Sequence, residues 1–126
     1  MTQEKKTLLL VDDEPDLLES LSIRLKASGY RVVTAVDGLE ALKKARTLQP
    51  DLILLDLMLP LMDGYKVARL LKFDSRYSRI PILILSARGQ DQDKELAHSA
   101  GADDYLVKPF SSNELLSRIG KLLSGK

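Results

Sequence analysis

Leu52-Ile53-Leu54-Leu55-Asp56 is the stretch on which the fold turns: four apolar residues with no polar alternation, closed by a carboxylate. A strand wetted on one face alternates apolar with polar residues, so an unbroken run reads as a strand buried on both faces, as in a parallel sheet covered by helices. The same pattern recurs on either side. Leu8-Leu9-Leu10-Val11 runs into Asp12-Asp13, Ile82-Leu83-Ile84-Leu85 into Ser86, and Tyr105-Leu106-Val107 into Lys108. A fifth run, Tyr30 to Ala35, is more polar and suits an edge.

Segments with helical spacing lie between and after these runs: Leu17, Leu21 and Leu25; Ala41, Leu42, Ala45 and Leu48; Val67, Leu70 and Leu71; and Leu115, Ile119 and Leu122. Pro15 suits a first helical turn and Gly29 a helix stop. Asp37 with Glu40, and Ser111 with Glu114, have capping-box spacing. The helix expected between Asp91 and Ala100 offers only Leu96, Ala97 and Ala100 to pack and should be the least firmly anchored. Five β-α units with right-handed crossovers predict a doubly wound five-stranded parallel sheet in the order 2-1-3-4-5. In that order the winding reverses between strands 1 and 3, where Asp12, Asp13 and Asp56 converge, and ligand sites lie outside the carboxyl ends of such strands. Ser86 and Lys108 arrive at the same edge.

The 126 residues suit one domain, 1–126. A hydrophobic content of 44% and a charged content of 29% are ordinary for a globular protein. The net charge is +1, with acids and bases interspersed, so direct nucleic-acid binding is not expected. The absence of cysteine removes disulfides, thiol catalysis and thiolate metal sites. Met1 to Lys6 is polar, and no run approaches the ~20 apolar residues of a membrane span. The cytoplasm is the expected location, with no membrane partner.

Three carboxylates at one crevice repel one another and call for raised pKa values or a cation. All-oxygen ligands favour a hard ion, and Mg²⁺ prefers one or two carboxylates plus water and phosphate oxygens. Asp12 or Asp13, with Asp56, could supply that incomplete shell. Lys108 adds a fixed positive charge, making a pocket for a phosphoryl group. The Asp56 carboxylate can also act as a nucleophile toward phosphorus, with the metal, Lys108 and the Ser86 hydroxyl each taking one oxygen.

At this point the chain resembles the receiver domain of two-component response regulators, from Thr7 to about Leu123, in a flavodoxin-like three-layer α/β sandwich of the chemotaxis-regulator kind. The motifs are Val11-Asp12-Asp13-Glu14, Leu54 through Gly64, Leu85-Ser86-Ala87, Gly101-Ala102-Asp103-Asp104-Tyr105 and Val107-Lys108-Pro109-Phe110. The resemblance implies that Asp56 accepts a phosphoryl group from a sensor histidine kinase, a histidine phosphotransfer protein or a small phosphodonor. It implies that Asp12 and Asp13 position Mg²⁺ with the backbone carbonyl of Met58, that Ser86 bonds the phosphoryl oxygen, and that Tyr105 turns inward behind it. The surface of helix 4, strand 5 and helix 5 would then change and pass the signal to a downstream protein partner or a fused effector. The resemblance also implies a cis Lys108-Pro109 bond and a monomer able to dimerise on phosphorylation. Met58 and Arg88 occupy positions that influence phosphoryl lifetime in this family, and an apolar Met58 implies slow self-dephosphorylation. Such a domain catalyses only its own phosphorylation and dephosphorylation and is not otherwise an enzyme.

Taken singly these residues are bland. An Asp-Asp pair is commonly a turn or a cap, Lys108-Pro109 can simply end a strand, and His98 in a polar helix reads as a surface residue. Gly64 and Gly101 read as a turn and a helix stop. The conjunction carries the reading. A haloacid dehalogenase-like phosphatase would want a second acid two residues after its nucleophile, where Met58 stands. A flavodoxin-like cofactor binder would want a glycine-rich loop where Asp12-Asp13-Glu14 would repel phosphate. Two alternatives stay open: an interaction-only receiver, and the receiver portion of a DNA-binding response regulator, which Ser111 to Ile119 resembles.

Overall fold

The computed structural model of the chain describes residues 5–87 and 89–124. The first four residues of the polar N-terminal segment, and Arg88, lie outside the described residues. The elements are β1 (Thr7–Val11), α1 (Pro15–Ala27), β2 (Arg31–Ala35), α2 (Gly38–Leu48), β3 (Leu52–Asp56), α3 (Gly64–Lys72), β4 (Ile82–Ser86), α4 (Asp91–Ser99), β5 (Asp104–Val107) and α5 (Ser112–Leu123). The strands form one parallel sheet in the order β2-β1-β3-β4-β5, so the more polar β2 is an edge as expected.

Alternation along each buried strand divides the core in two. Leu9, Val11, Ile53, Leu55, Ile82 and Ile84 meet α2, α3 and α4 on one face. Leu8, Leu10, Leu52, Leu54, Leu83 and Leu85 meet α1 and α5 on the other. Successive side chains point to opposite faces, so a strand apolar at every position needs helices on both. Each Leu or Ile so buried contributes roughly 1.5–3 kcal/mol.

The helix ends follow the expected punctuation, with one shift. Pro15 opens α1, and Gly29, just past its end, has φ +99. Asp37 accepts from Glu40 N at 2.7 Å, but the return arm of this box, Glu40 Oε1, takes the N–H of Val36 at 2.8 Å rather than that of Asp37. Ser111 Oγ accepts from Glu114 N at 3.0 Å. A third cap, Asp63 accepting from Lys66 N at 3.0 Å, opens α3. Gly64 is required there, because a Cβ would strike the carbonyl of Asp56 and hold α3 away from the end of β3. The Lys108-Pro109 bond is cis.

The helix faces differ in detail from the periodicity. In α1 the fully packed residues are Leu18 and Leu25, with Leu17 and Leu21 half-buried. In α3 the small Ala68 packs inward where Leu70 was expected, and Leu70 is exposed, as is Leu48 at the end of α2. In α4 Leu96 is also exposed, leaving Asp93 and Ala97 as its buried residues. The scarcity of apolar anchors in α4 is therefore greater than the sequence predicts.

Candidate functional site

The site is built from strand ends. Asp12 directly follows β1, and its N–H donates to Ala35 O at 3.2 Å, carrying the sheet one residue further and fixing the carboxylate at the edge. Asp56 is the last residue of β3 and Ser86 the last of β4. Lys108 directly follows β5, where its N–H donates to Ser86 O at 2.8 Å. Parallel strands ending together thus bring Asp12, Asp56, Ser86 and Lys108 to one edge, with Asp13 beside them.

Asp12 is 2% and Asp56 6% exposed, whereas Asp13 is open to solvent. Each of the three offers a carboxylate oxygen, and these oxygens lie within 4.8 Å of one another. Lys108 Nζ donates to Asp12 Oδ2 at 2.8 Å and stands 3.7 Å from Asp56 Oδ2. The other oxygen of Asp12 accepts from Glu14 N at 3.0 Å. Asp56 Oδ1 receives a long 3.4 Å bond from Met58 N. Asp12 is thus held on both oxygens while Asp56 is held loosely.

Burial pushes the Asp56 carboxyl above its usual range, and the charge of Asp12 adds to this, against the pull of Lys108 and the N–H groups of Met58 and Leu57. Burial also works against the Lys108 ammonium, but the hydrogen bond to Asp12 and the charges of Asp56, Asp12 and Glu14 outweigh it and raise its pKa. Two unit charges about 4 Å apart interact by roughly 4 kcal/mol at the effective dielectric of a protein edge. One ammonium therefore cannot balance three carboxylates. The donor set is all oxygen and open on the Asp13 side, which fits a hard divalent cation with an incomplete protein shell.

Ser86 is fully buried at this edge. Tyr105 is half-buried and packs against the α2-α3-α4 core, lining a hollow of ≈ 160 Å³ with Lys94, Ala97 and His98 of α4. Its backbone carbonyl accepts from Arg118 Nη1 of α5 at 3.1 Å, and the same nitrogen pairs with Asp104 at 3.0 Å. His98 is exposed, as a surface residue should be. The side chain of Met58 is exposed as well. The sequence reading missed Asp93, buried in the first turn of α4, whose backbone carbonyl accepts from Tyr65 Oη at 3.4 Å. Its spacing from Ala97 and Ala100, four and seven residues on, places all three on one helix face and could have shown it.

A doubly wound sheet whose carboxyl edge gathers three acids and a lysine defines an α/β domain with an acidic, cation-accepting cleft. The chain belongs to the response regulator receiver domain family, whose model matches residues 8–120. It is 49% identical over 116 residues to the DNA-binding dual master transcriptional regulator RpaA of Synechocystis, covering 92% of this chain and 48% of that protein. It is 48% identical over 118 residues to the alkaline phosphatase synthesis transcriptional regulatory protein PhoP of Bacillus subtilis, covering 94% and 48%. The chain thus spans about half the length of these relatives. Among solved structures it matches the chemotaxis protein CheY4 of Vibrio cholerae with TM-score 0.89 and 34% identity over 95% of this chain and 100% of that one. It matches equally well, with TM-score 0.89 and 34% identity over 97% and 100%, the receiver domain of a sensor histidine kinase from Pseudomonas aeruginosa PAO1, described with a magnesium ion coordinated in its active-site cleft. The chain is a receiver module of two-component signalling, as the sequence motifs implied.

Proposed function

We propose that Asp56 is the phosphoacceptor of this receiver and that residues 1–126 act as a single phosphoacceptor domain. The observation that carries the reading is the loose hold on the Asp56 carboxylate beside a lysine at 3.7 Å, next to an Asp12 whose two oxygens are both bonded. An Asp56 carboxylate oxygen attacks the phosphorus of a phosphohistidine on a sensor kinase or phosphotransfer protein. The P–N bond breaks as the O–P bond forms, and the imidazole leaves with the bonding pair and takes up a proton. Asp12, Asp13 and Asp56, with the carbonyl of Met58, would hold Mg²⁺, which when bound neutralises phosphoryl oxygens. Lys108 takes one oxygen of the transferred group, and Ser86 turns its hydroxyl to another. Positioning and charge balance of this kind are most of what phosphoryl transfer needs.

Tyr105 and α4 supply the readout. Tyr105 moves further beneath α4 when Ser86 is drawn to the phosphoryl group, and α4 follows because few apolar contacts hold it. The altered α4-β5-α5 surface then meets a downstream partner or a fused effector. The fused effector is favoured by the relatives, transcriptional regulators about twice the length of this chain. Pairing of two such surfaces should double the mass in light scattering when beryllofluoride and Mg²⁺ are added, and an unchanged mass counts against it. Met58 offers no group to activate water, so the phosphoprotein should outlast seconds in Mg²⁺ buffer. No helix among the described residues is long and apolar enough to cross a membrane, which suits a cytoplasmic protein.

Labelling with a small phosphodonor tests the assignment. The expected result is a Mg²⁺-dependent, hydroxylamine-sensitive adduct that disappears in Asp56→Asn. An adduct that persists in the variant moves the acceptor elsewhere, and no adduct at all makes the chain an interaction-only receiver.

A further inference from the structure

Away from the acidic cleft, α3 carries a stripe that neither the fold nor the phosphotransfer reading uses. Lys66 stands three and four residues before Arg69 and Leu70, which in turn stand four and three before Phe73, so the four share the helix's outer face. Phe73 is 69% exposed and Leu70 36%, and Leu96 of α4, 48% exposed, lies across from them. A groove of ≈ 490 Å³ runs between α3 and α4, bounded by Lys66, Arg69, Leu70 and Leu96. A second, of ≈ 600 Å³, lies beside it, bounded by Arg46 of α2 with Arg69, Leu70 and Phe73. Arg69 and Leu70 belong to both, so the two form one channel along α3.

The channel's lining sets Leu70, Phe73 and Leu96 among Arg46, Lys66 and Arg69, with Asp63 and Asp74 beside them. Arg46, Lys66 and Arg69 form no ion pair among the described residues. The two acids on its borders are engaged: Asp63 caps α3 through Lys66 N at 3.0 Å, and Asp74 takes Arg76 Nε and Nη2 at 3.1 and 2.9 Å, feeling Arg46 only through space. Three exposed apolar groups framed by three available cations call for an occupant that brings an apolar stripe and carboxylates together.

We propose that the α3 face docks an amphipathic helix of a partner protein, with its apolar stripe over Leu70, Phe73 and Leu96 and its acidic flank against Arg46, Lys66 and Arg69. A channel parallel to a helix axis suits helix-in-groove recognition. A second copy of this chain fits poorly, because a two-fold contact would set the same three cations against themselves. A nucleic-acid strand would leave Leu70 and Leu96 without a use.

The test is an amide NMR titration of the unphosphorylated chain with two synthetic helical peptides that share a leucine stripe, one flanked by glutamate and the other by lysine. The glutamate peptide should move the amides of Arg69, Leu70, Phe73 and Leu96, and the lysine peptide should not. Phe73→Ala should weaken binding about tenfold. Arg69→Glu should weaken the glutamate peptide about tenfold and improve the lysine peptide, a reversal that a misfolded variant would not show. The proposal is overturned by equal responses to both peptides, by shifts elsewhere, by no shifts, or by concentration-dependent shifts at these amides without peptide, which would make the face a self-contact.

Discussion

At the N-terminal edge of the sheet, Asp51 accepts from Thr7 N at 2.7 Å while its own N–H donates to Thr7 O at 2.8 Å. Asp103 there accepts on one oxygen from both Ile82 N at 2.8 Å and Lys72 Nζ at 3.0 Å, and Lys72 also reaches Ile80 O at 2.9 Å. At the C-terminal edge the same residue types sit under different terms. Lys108 spans two carboxylates, and Asp56 Oδ1 takes a long 3.4 Å bond from Met58 N while its Oδ2 stands 3.7 Å from the ammonium. An acid whose oxygens are bonded to backbone N–H groups stitches strand ends together. An acid left with free lone pairs, buried beside a cation, is available to a ligand. The two edges show that acid and lysine content alone does not mark a site, and that the degree of saturation does.

The sharpest way to break this comparison is at the stitched edge. Asp103→Ala removes the carboxylate that accepts from Ile82 N and leaves Lys72, mostly buried, with one carbonyl in place of two acceptors. Losing a charged hydrogen bond and stranding its donors costs about 2 kcal/mol, to be read from urea unfolding. Phosphodonor labelling of the surviving folded protein should be unchanged. Loss of labelling in the folded variant would mean that the edges are not independent.

The opposite edge should respond with the opposite sign. Replacing Asp56 by Asn removes a carboxylate that burial and Asp12 disfavour, while keeping its shape. A gain of about 1 kcal/mol at neutral pH without Mg²⁺ is expected, in line with the strain that functional sites hold. Equal or lower stability would show that Lys108 already compensates Asp56 in full. Together the two variants would separate a carboxylate kept for stability from one kept for chemistry.

Much of this was legible in the sequence, for a physical reason. Four apolar runs read as strands covered on both faces, which holds for β1, β3 and β4 and only in part for the edge strand β5, and once they are parallel the residue after each run must lie at one edge, which found Asp12, Asp56, Ser86 and Lys108. The stitched edge was not legible. Asp51 and Asp103 precede strands rather than follow them, and nothing in Asp103-Asp104 says that the first meets Lys72 and Ile82 while the second meets Arg118. Nor could periodicity say how much of each helix the sheet would cover. Leu70 and Leu96 have core spacing yet are exposed, because Ala68 and Ala97 let their helices sit close and turn the leucines to the flank. Those flanking residues make the α3 channel.

The smallest expected effect is a difference in pH dependence. Asp74, in the turn after α3 on the stitched side, is lowered from 3.8 to about 2, chiefly by its hydrogen bond to Arg76. Its folded form holds a proton less readily than its unfolded form, so its contribution is present above pH 3.8 and is lost as pH falls through about 2. The pair is solvent-exposed and screened, so the contribution is slight. Asp56 is raised above 3.8, so its folded form holds a proton more readily. The stability it allows is fully present below pH 3.8 and is lost as pH rises through its folded value. Measured against the parent chain by urea unfolding, Asp74→Asn should therefore lose its small disadvantage as pH falls below 3.8, whereas Asp56→Asn should gain its advantage as pH rises above it. Parallel slopes for the two variants would mean that the two carboxylates are held on the same terms, and that saturation does not separate the edges.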